Sequence, residues 1–313
     1  MVEALSGYRR EIQPAGVAPG ETEVAVLFPI KIGGEIEHAS NGIKLLDPGV
    51  HLSASLYDKL VLHKLATPID ECLALEKPIT AASLTADLER LITSQHDFRN
   101  VIRNEDSRHT VQTLFSGFPL SPLSAFKLTI LRQQMPETYQ HSLEVAYCAL
   151  VIAMHLKGSS QQQQQYALAA GLFHDFGLLH IEPQVLQHVG PFGEKERQQI
   201  YAHPVTGHLI VRRLEEWPAL IGNAVLEHHE RLDASGYPRS CCGSEISPLG
   251  QLLALAELAA SIFSRPRTGS LSELVHVVLR LNQGKFSKQI AEVLVELAMK
   301  IPQDQAANNS QPI

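Results

Sequence analysis

Histidines and acidic residues are concentrated in the second half of the chain, at spacings that suit a metal site. Nine of the 15 histidines fall between positions 141 and 229. The segment 228–238, HHERLDASGYP, places two adjacent histidines ahead of a Gly-Tyr-Pro loop. Neutral imidazole is the commonest protein ligand of metals, and a mixture of His, Asp and Glu suits iron, manganese or zinc better than a thiolate site would. We therefore expect these residues to hold divalent cations.

The candidate ligands are distributed over several apolar, helix-like segments. Glu137 and His141 are four residues apart, so they share one face of a helix. His174 and Asp175 are adjacent, so both can point to one site only at the end of a helix. Gly177 is near enough to end a helix at this point. A lone histidine on an apolar helix is more often a hydrogen-bonded core residue than a ligand. Several buried and unpaired ionisable groups would be costly, however, so shared cations explain the set best.

The composition limits the classes of protein that the chain can belong to. Its 313 residues are 44% hydrophobic, which predicts a substantial core and about two domains. The net charge of -7 and the absence of a Lys/Arg run argue against a nucleic-acid polymer as partner. The four cysteines form neither a CxxC pair nor a disulfide framework and suit a reducing cytoplasm. We expect no secretory signal and no membrane span.

The hydrophobic pattern predicts two regions of different structure. Residues 23–51 are strand-like, and helices follow up to Pro119 and Pro122, where we place a domain border near residue 120. Residues 1–120 are thus predicted to form a small α+β domain, regulatory by analogy, and residues 121–313 an all-helical metal-binding bundle. The predicted fold class is mainly α.

The double histidine followed by Gly-Tyr-Pro resembles the HD-GYP family, a branch of the HD superfamily of metal-dependent phosphohydrolases. The resemblance covers about residues 125–300. The family pattern runs from a glutamate one turn before a histidine, through an HD dipeptide, a lone histidine and the His-His pair, to an acidic residue on the next helix. The positions of this sequence that match it, and are implied to be metal ligands, are Glu137, His141, His174, Asp175, His203, His228, His229 and Glu257.

The resemblance implies a multihelical fold around two or three divalent ions, iron or manganese, and hydrolysis of cyclic di-GMP to pGpG and on to GMP. His174 and Asp175 would be the catalytic pair, with Asp175 bridging two ions. Such ions polarise phosphoryl oxygens and acidify water. Tyr237 would stack on a guanine, since one stacked base contributes about 1–3 kcal/mol. The predicted substrate-binding residues are Gly236, Tyr237, Pro238, Arg265 and Arg267.

The sequence departs from the family pattern beside the ligands. Leu178 replaces a lysine after the HD dipeptide, Ala260 replaces a second aspartate, Glu257 replaces the aspartate ligand, and Ala234 replaces a glycine of the loop. These changes favour an alternative function, in which a weak or inactive module binds metal, nucleotide or a signalling protein such as a diguanylate cyclase. A third alternative, another HD-superfamily reaction, is disfavoured by the Gly-Tyr-Pro loop.

Overall fold

The fold is mainly α-helical, as predicted, and the strands of the described region all precede residue 76. The structure, a computed structural model, describes residues 30–32, 36–50, 56, 59–60, 62–67, 72–75, 77–188, 190–265 and 269–301. None of the described helices combines the length and the apolar composition that a bilayer span requires.

The strands form two short antiparallel pairs. The four strands are β1 (Ile30–Ile32), β2 (Ile36–Glu37), β3 (Lys44–Leu46) and β4 (Leu73–Leu75). Strand β1 pairs with β4, so that Ile30 lies opposite Leu75, and β2 pairs with β3. The predicted strand region 23–51 thus contains β1 to β3, although its residues 23–29 lie outside the described part of the chain.

The helices follow one another from residue 81 to residue 300. They are α1 (Ala81–Ser94), α2 (His96–Val101), α3 (Glu105–Ser116), α4 (Pro122–Gln134), α5 (Pro136–His155), α6 (Gln161–Phe173), α7 (Pro183–Leu186), α8 (Glu194–Val211), α9 (Ala219–Glu227), α10 (Pro248–Phe263), α11 (Leu271–Leu281) and α12 (Lys288–Lys300). Short 3₁₀ helices span Phe176–His180 and Gly243–Glu245.

The chain divides into two compact units. The first contains residues 1–80 and 122–129, and the second contains residues 81–121 and 130–313. Within the first unit, Ile36, Leu60 and Cys72 form a small buried cluster. Helices α1 to α3 lie in the second unit, which also carries every candidate ligand. The domain border near residue 120 and the regulatory role of the first domain remain predictions.

Helix α5 is the central helix of the second unit. Pro136 occupies its first turn, where a proline loses no helical hydrogen bond, and residues from Ser142 to Ala153 are buried on all faces. Helices α6 and α10 pack against it. Gly171 makes the α5–α6 approach possible, because a Cβ at this position would lie 2.7 Å from the Ala146 nitrogen. This close packing brings His141 of α5 towards the end of α6.

Candidate metal centre

The HD dipeptide lies at the end of helix α6, as its sequence predicts. His174 is the C-terminal cap of the helix, and Asp175 begins the 3₁₀ turn that follows. The His174 Nδ1 lies 2.8 Å from the Gly171 carbonyl oxygen, one of the last-turn carbonyls that have no partner within a helix. This hydrogen bond keeps a proton on Nδ1, so Nε2 is the nitrogen that can offer a lone pair to a metal.

His203 reaches the same arrangement in the middle of helix α8. Pro204 follows it and has no N–H, so the Ile200 carbonyl lacks its usual helical donor. The His203 Nδ1–H donates a hydrogen bond to that carbonyl oxygen at 2.6 Å. Its Nε2 therefore points away from the helix axis, towards the HD dipeptide. Gly177 fixes this contact, because a Cβ there would lie 2.8 Å from the His203 carbonyl carbon.

The His-His pair follows the last turn of helix α9. His228 caps this helix, and its Nδ1 lies 2.6 Å from the Val225 carbonyl oxygen. The Nε2 atoms of His228 and His203 face each other at 3.1 Å. The His229 ring lies beside them, with centroids 4.0 Å from His228 and 5.0 Å from His203. Helices α6, α8 and α9 thus bring their histidines to one place.

The converging atoms form two groups of possible metal ligands. One consists of His141, His174 and Asp175, and the other of His203, His228 and His229. Within each group the donor atoms lie within 4.8 Å of one another. Asp175 lies between the groups, since its Oδ2 is 3.1 Å from the His174 Nε2 and its Oδ1 is 3.4 Å from the His203 Nε2. One carboxylate therefore faces both groups.

Two buried polar atoms show that this donor set suits a cation. The His174 Nε2 has no hydrogen-bond partner among the described residues, although it lies at ion-pair distance from Asp175. The Glu257 Oε2 is likewise buried without a hydrogen bond, 3.5 Å from the His229 Nδ1. Buried polar atoms are nearly always satisfied, and mixed imidazole and carboxylate donors suit iron, manganese and zinc. The residues fit a divalent metal.

The electrostatics of the metal-free cluster keep most of its imidazoles neutral. Burial lowers the pKa of His141 to about 4, and it lowers the pKa values of His203, His228 and His229. Burial acts in the same direction on His174, but the adjacent Asp175 carboxylate outweighs it and raises the pKa of His174 to about 9. A metal can thus replace the one proton that the His174–Asp175 pair holds at neutral pH.

The structure places the two predicted glutamate ligands differently. Glu257 lies on α10 against His229, and burial raises the pKa of its carboxyl to about 7. Glu137 lies on the exposed first turn of α5, one turn before His141, and outside both ligand groups. Its predicted role as a ligand remains a prediction.

Two buried glutamates that the sequence did not single out hold the Gly-Tyr-Pro loop. Glu230 is 1% exposed and accepts the backbone N–H groups of Arg239 at 2.7 Å and Cys241 at 3.0 Å. Glu227 accepts from the Arg239 side chain at 3.1 Å and from Ser247, which caps α10. Their positions flanking the His-His pair were the available signal, since a carboxylate beside ligands is rarely without a role.

Tyr237 lies within a stack of three rings. Its centroid is 4.5 Å from that of His229 and 4.3 Å from that of Tyr201, with interplanar angles of 23° and 15°. Two rings this close and this parallel to a third cannot share one face, so they cover both faces of Tyr237. A guanine cannot stack on Tyr237 in this arrangement. Substrate contact by another edge of Gly236, Tyr237 and Pro238 remains a prediction.

The remaining predicted positions lie around the cluster. Arg265 is exposed just beyond the end of α10, and Arg267 lies outside the described residues. Leu178 packs against Ile181, Val185 and Ile200, and Ala260 is fully buried in α10. The two departures from the family pattern are therefore accommodated as apolar packing.

Known proteins resemble the helical unit. The HD domain family matches residues 127–270. The chain is 30% identical over 167 residues to 3'3'-cGAMP-specific phosphodiesterase 1 of Vibrio cholerae, covering 50% of this chain and 37% of that protein. It is 27% identical over 267 residues to the cyclic di-GMP phosphodiesterase PA4108 of Pseudomonas aeruginosa, covering 82% and 63%. The chain thus spans less than two thirds of the length of these relatives.

A solved structure, Bd1817, an HDG"Y"P protein from Bdellovibrio bacteriovorus, is similar with a TM-score of 0.45 and 15% identity, covering 86% of this chain and 95% of that one. Residues 127–270 are similar to the HD domain family, and the helices of this region agree with that match. The relatives named cyclic di-GMP phosphodiesterases support the predicted resemblance to the HD-GYP family.

Proposed function

We propose that this chain is a metal-dependent phosphodiesterase that hydrolyses cyclic di-GMP to linear pGpG, with GMP as a further product. The observation that carries the proposal is the convergence of the two ligand groups on the Asp175 carboxylate. The relatives named cyclic di-GMP and 3'3'-cGAMP phosphodiesterases support a cyclic dinucleotide as substrate. The four free cysteines and the lack of a described membrane span support a cytoplasmic location.

The proposed ligands are the residues whose donor atoms converge. His141, His174 and Asp175 would hold one ion, and His203, His228 and His229 a second, with Asp175 shared. Glu257, which lies beside His229, would complete the coordination of the second ion. Glu137, which lies outside both groups, is proposed as a ligand of a third ion. Bound divalent ions, iron or manganese by donor type, would polarise the phosphoryl oxygens and lower the pKa of a coordinated water.

The residues of the chain would contribute orientation. The hydrogen bonds of His174, His203 and His228 to carbonyls three residues earlier fix which ring nitrogen carries the proton. Such fixed donors need little rearrangement when a phosphodiester arrives. In the overall reaction one water adds to phosphorus, the bond to one 3′-oxygen breaks, and that oxygen takes a proton. The linear product keeps a 5′-phosphate.

The test begins with protein loaded anaerobically with iron or with manganese. Cyclic di-GMP and 3'3'-cGAMP are incubated with it, and the products are separated by chromatography. We expect pGpG from cyclic di-GMP. His174→Ala and Asp175→Ala should lower both metal content and turnover, whereas His276→Ala, an exposed histidine of α11, should change neither. Full metal content in both site variants would overturn the ligand assignment.

A second candidate function is favoured by the packing of Leu178 and Ala260. Both are apolar where the family pattern has charged residues, so the chain lacks two charges beside the cluster. In that case the domain would bind metal and nucleotide, or a signalling protein such as a diguanylate cyclase, without turnover. Metal-replete protein that binds cyclic di-GMP and releases no product would establish this function instead.

A further inference from the structure

An aromatic column leads from the candidate metal centre to the protein surface. It begins at His229, continues through Tyr237 at 4.5 Å and ends at Tyr201 at 4.3 Å. Tyr201 lies on helix α8, two residues before His203, and is 42% exposed. Among the described residues no second ring stacks on it. One face of Tyr201 is therefore covered by Tyr237, and the ring closes the column towards solvent.

Tyr201 begins a row of exposed apolar side chains on helix α8. Two further apolar side chains lie along the same face of α8 at intervals of four residues, Val205 at 41% and Leu209 at 61% exposure. The column thus ends on an apolar helix face that begins beside the ligands. A flat π surface with one open face suits another aromatic ring better than it suits water.

We infer that Tyr201, rather than Tyr237, is the platform on which a nucleobase of the cyclic dinucleotide stacks, and this inference rests on the proposed function. A phosphodiester held by the two ligand groups would lie next to His203 and His229. The column begins at His229, and its last ring, Tyr201, lies two residues before His203. A base extending from that phosphodiester would add a fourth ring to the column. Stacking of this kind tolerates any purine.

Tyr201 is thus a substrate-binding residue, and its removal should affect binding more than chemistry. Deleting one stacking platform weakens base binding by between about 5-fold and about 150-fold. We expect Tyr201→Ala to raise KM for cyclic di-GMP by a factor in this range, with little change in kcat. Tyr201→Phe keeps the ring and should restore the wild-type KM.

The experiment measures metal content, steady-state hydrolysis and calorimetric binding of a phosphorothioate analogue of cyclic di-GMP. Leu209→Ala is the matched control, because it removes a more exposed apolar side chain two turns along the same helix. The expected result is weaker analogue binding by Tyr201→Ala at full metal content, with Leu209→Ala and Tyr201→Phe equal to wild type. The metal content distinguishes base binding from packing. If Tyr201 only supported Tyr237 and His229, the Tyr201→Ala protein would lose bound metal.

Three results would overturn the inference. Wild-type affinity and KM in Tyr201→Ala, with hydrolysis intact, would refute the platform and leave the proposed function standing. Loss of metal from Tyr201→Ala, at unchanged affinity of its metal-bound fraction, would assign the ring to packing. Wild-type protein that is metal-replete but neither binds nor hydrolyses a cyclic dinucleotide would overturn both the proposed function and the platform.

Discussion

Glu230 is the carboxylate that ties the Gly-Tyr-Pro loop to the helix carrying the His-His pair, and its removal should loosen that loop. Its two oxygens accept the N–H groups of Arg239 and Cys241 at 2.7 and 3.0 Å, and the side chain is buried. A hydrogen bond to a charged group contributes about 1.5–3 kcal/mol. The loss of two such bonds in Glu230→Ala corresponds to a range of about 3–6 kcal/mol in the free energy of unfolding.

The expected loss lies near the lower limit. Arg239 is exposed and Cys241 half-buried, so water can replace part of what the carboxylate provides. We expect Glu230→Ala to lower the free energy of unfolding by about 3 kcal/mol, or roughly 6–12 °C in melting temperature. Glu230→Gln keeps one acceptor oxygen and should lose about half as much.

Urea unfolding of metal-free protein measures the stability, and trypsin cleavage after Arg239 reports on the loop. Glu230→Ala should be cleaved there faster than wild type under native conditions, because local opening becomes less costly. Glu292→Gln is the control, since Glu292 is exposed and its ion pair with Lys288 on the surface of α12 is long, at 3.9 Å. If Glu230→Ala unfolds at the wild-type urea midpoint and resists trypsin equally, the loop is held by other contacts.

Three further predictions follow from the backbone and from metal binding. Gly177→Ala places a methyl group against the His203 carbonyl, so folded protein should lose bound metal, and full metal content would be inconsistent with this contact. Ala234 has a φ of 61°, which is costly for a non-glycine residue. Ala234→Gly should therefore raise the free energy of unfolding in urea by up to about 1 kcal/mol. A lower free energy of unfolding in this variant would show that the backbone at Ala234 is not strained. Metal at 100 times its Kd should raise the free energy of unfolding by about 2.7 kcal/mol. Unfolding in urea is followed by the fluorescence of the single tryptophan, Trp217. An unchanged urea midpoint would show that the folded state binds no metal.

The sequence predicted the fold where local pattern decides the structure. The four-residue spacing of Glu137 and His141 predicted one helix for both, and both lie on α5. The HD dipeptide was expected at a helix end, and it follows the last turn of α6; the His-His pair, expected ahead of a loop, follows the last turn of α9. Helix ends leave carbonyls unpaired, so a polar residue there has a physical reason that spacing alone reveals.

The sequence could not predict how side chains meet across space. Tyr237 was expected to present a face to the substrate, but Tyr201, 36 positions earlier, covers one face and His229 covers the other. Glu230 likewise gained its role from loop N–H groups nine and eleven residues later. Such contacts depend on how α8 and α9 lie against each other, and periodicity within one helix carries no information on that.

The way in which the ring nitrogens are oriented has a consequence for the evolution and redesign of this scaffold. His174 and His228 bond to carbonyls just inside the helix ends that they follow, and His203 to the carbonyl that Pro204 leaves without a donor. Main-chain oxygens are present whatever the neighbouring side chains are, so surrounding positions can diverge without turning the imidazoles. A histidine placed before an intrahelical proline, or directly after a terminal turn, should therefore transplant into other helices with its coordinating nitrogen already aimed.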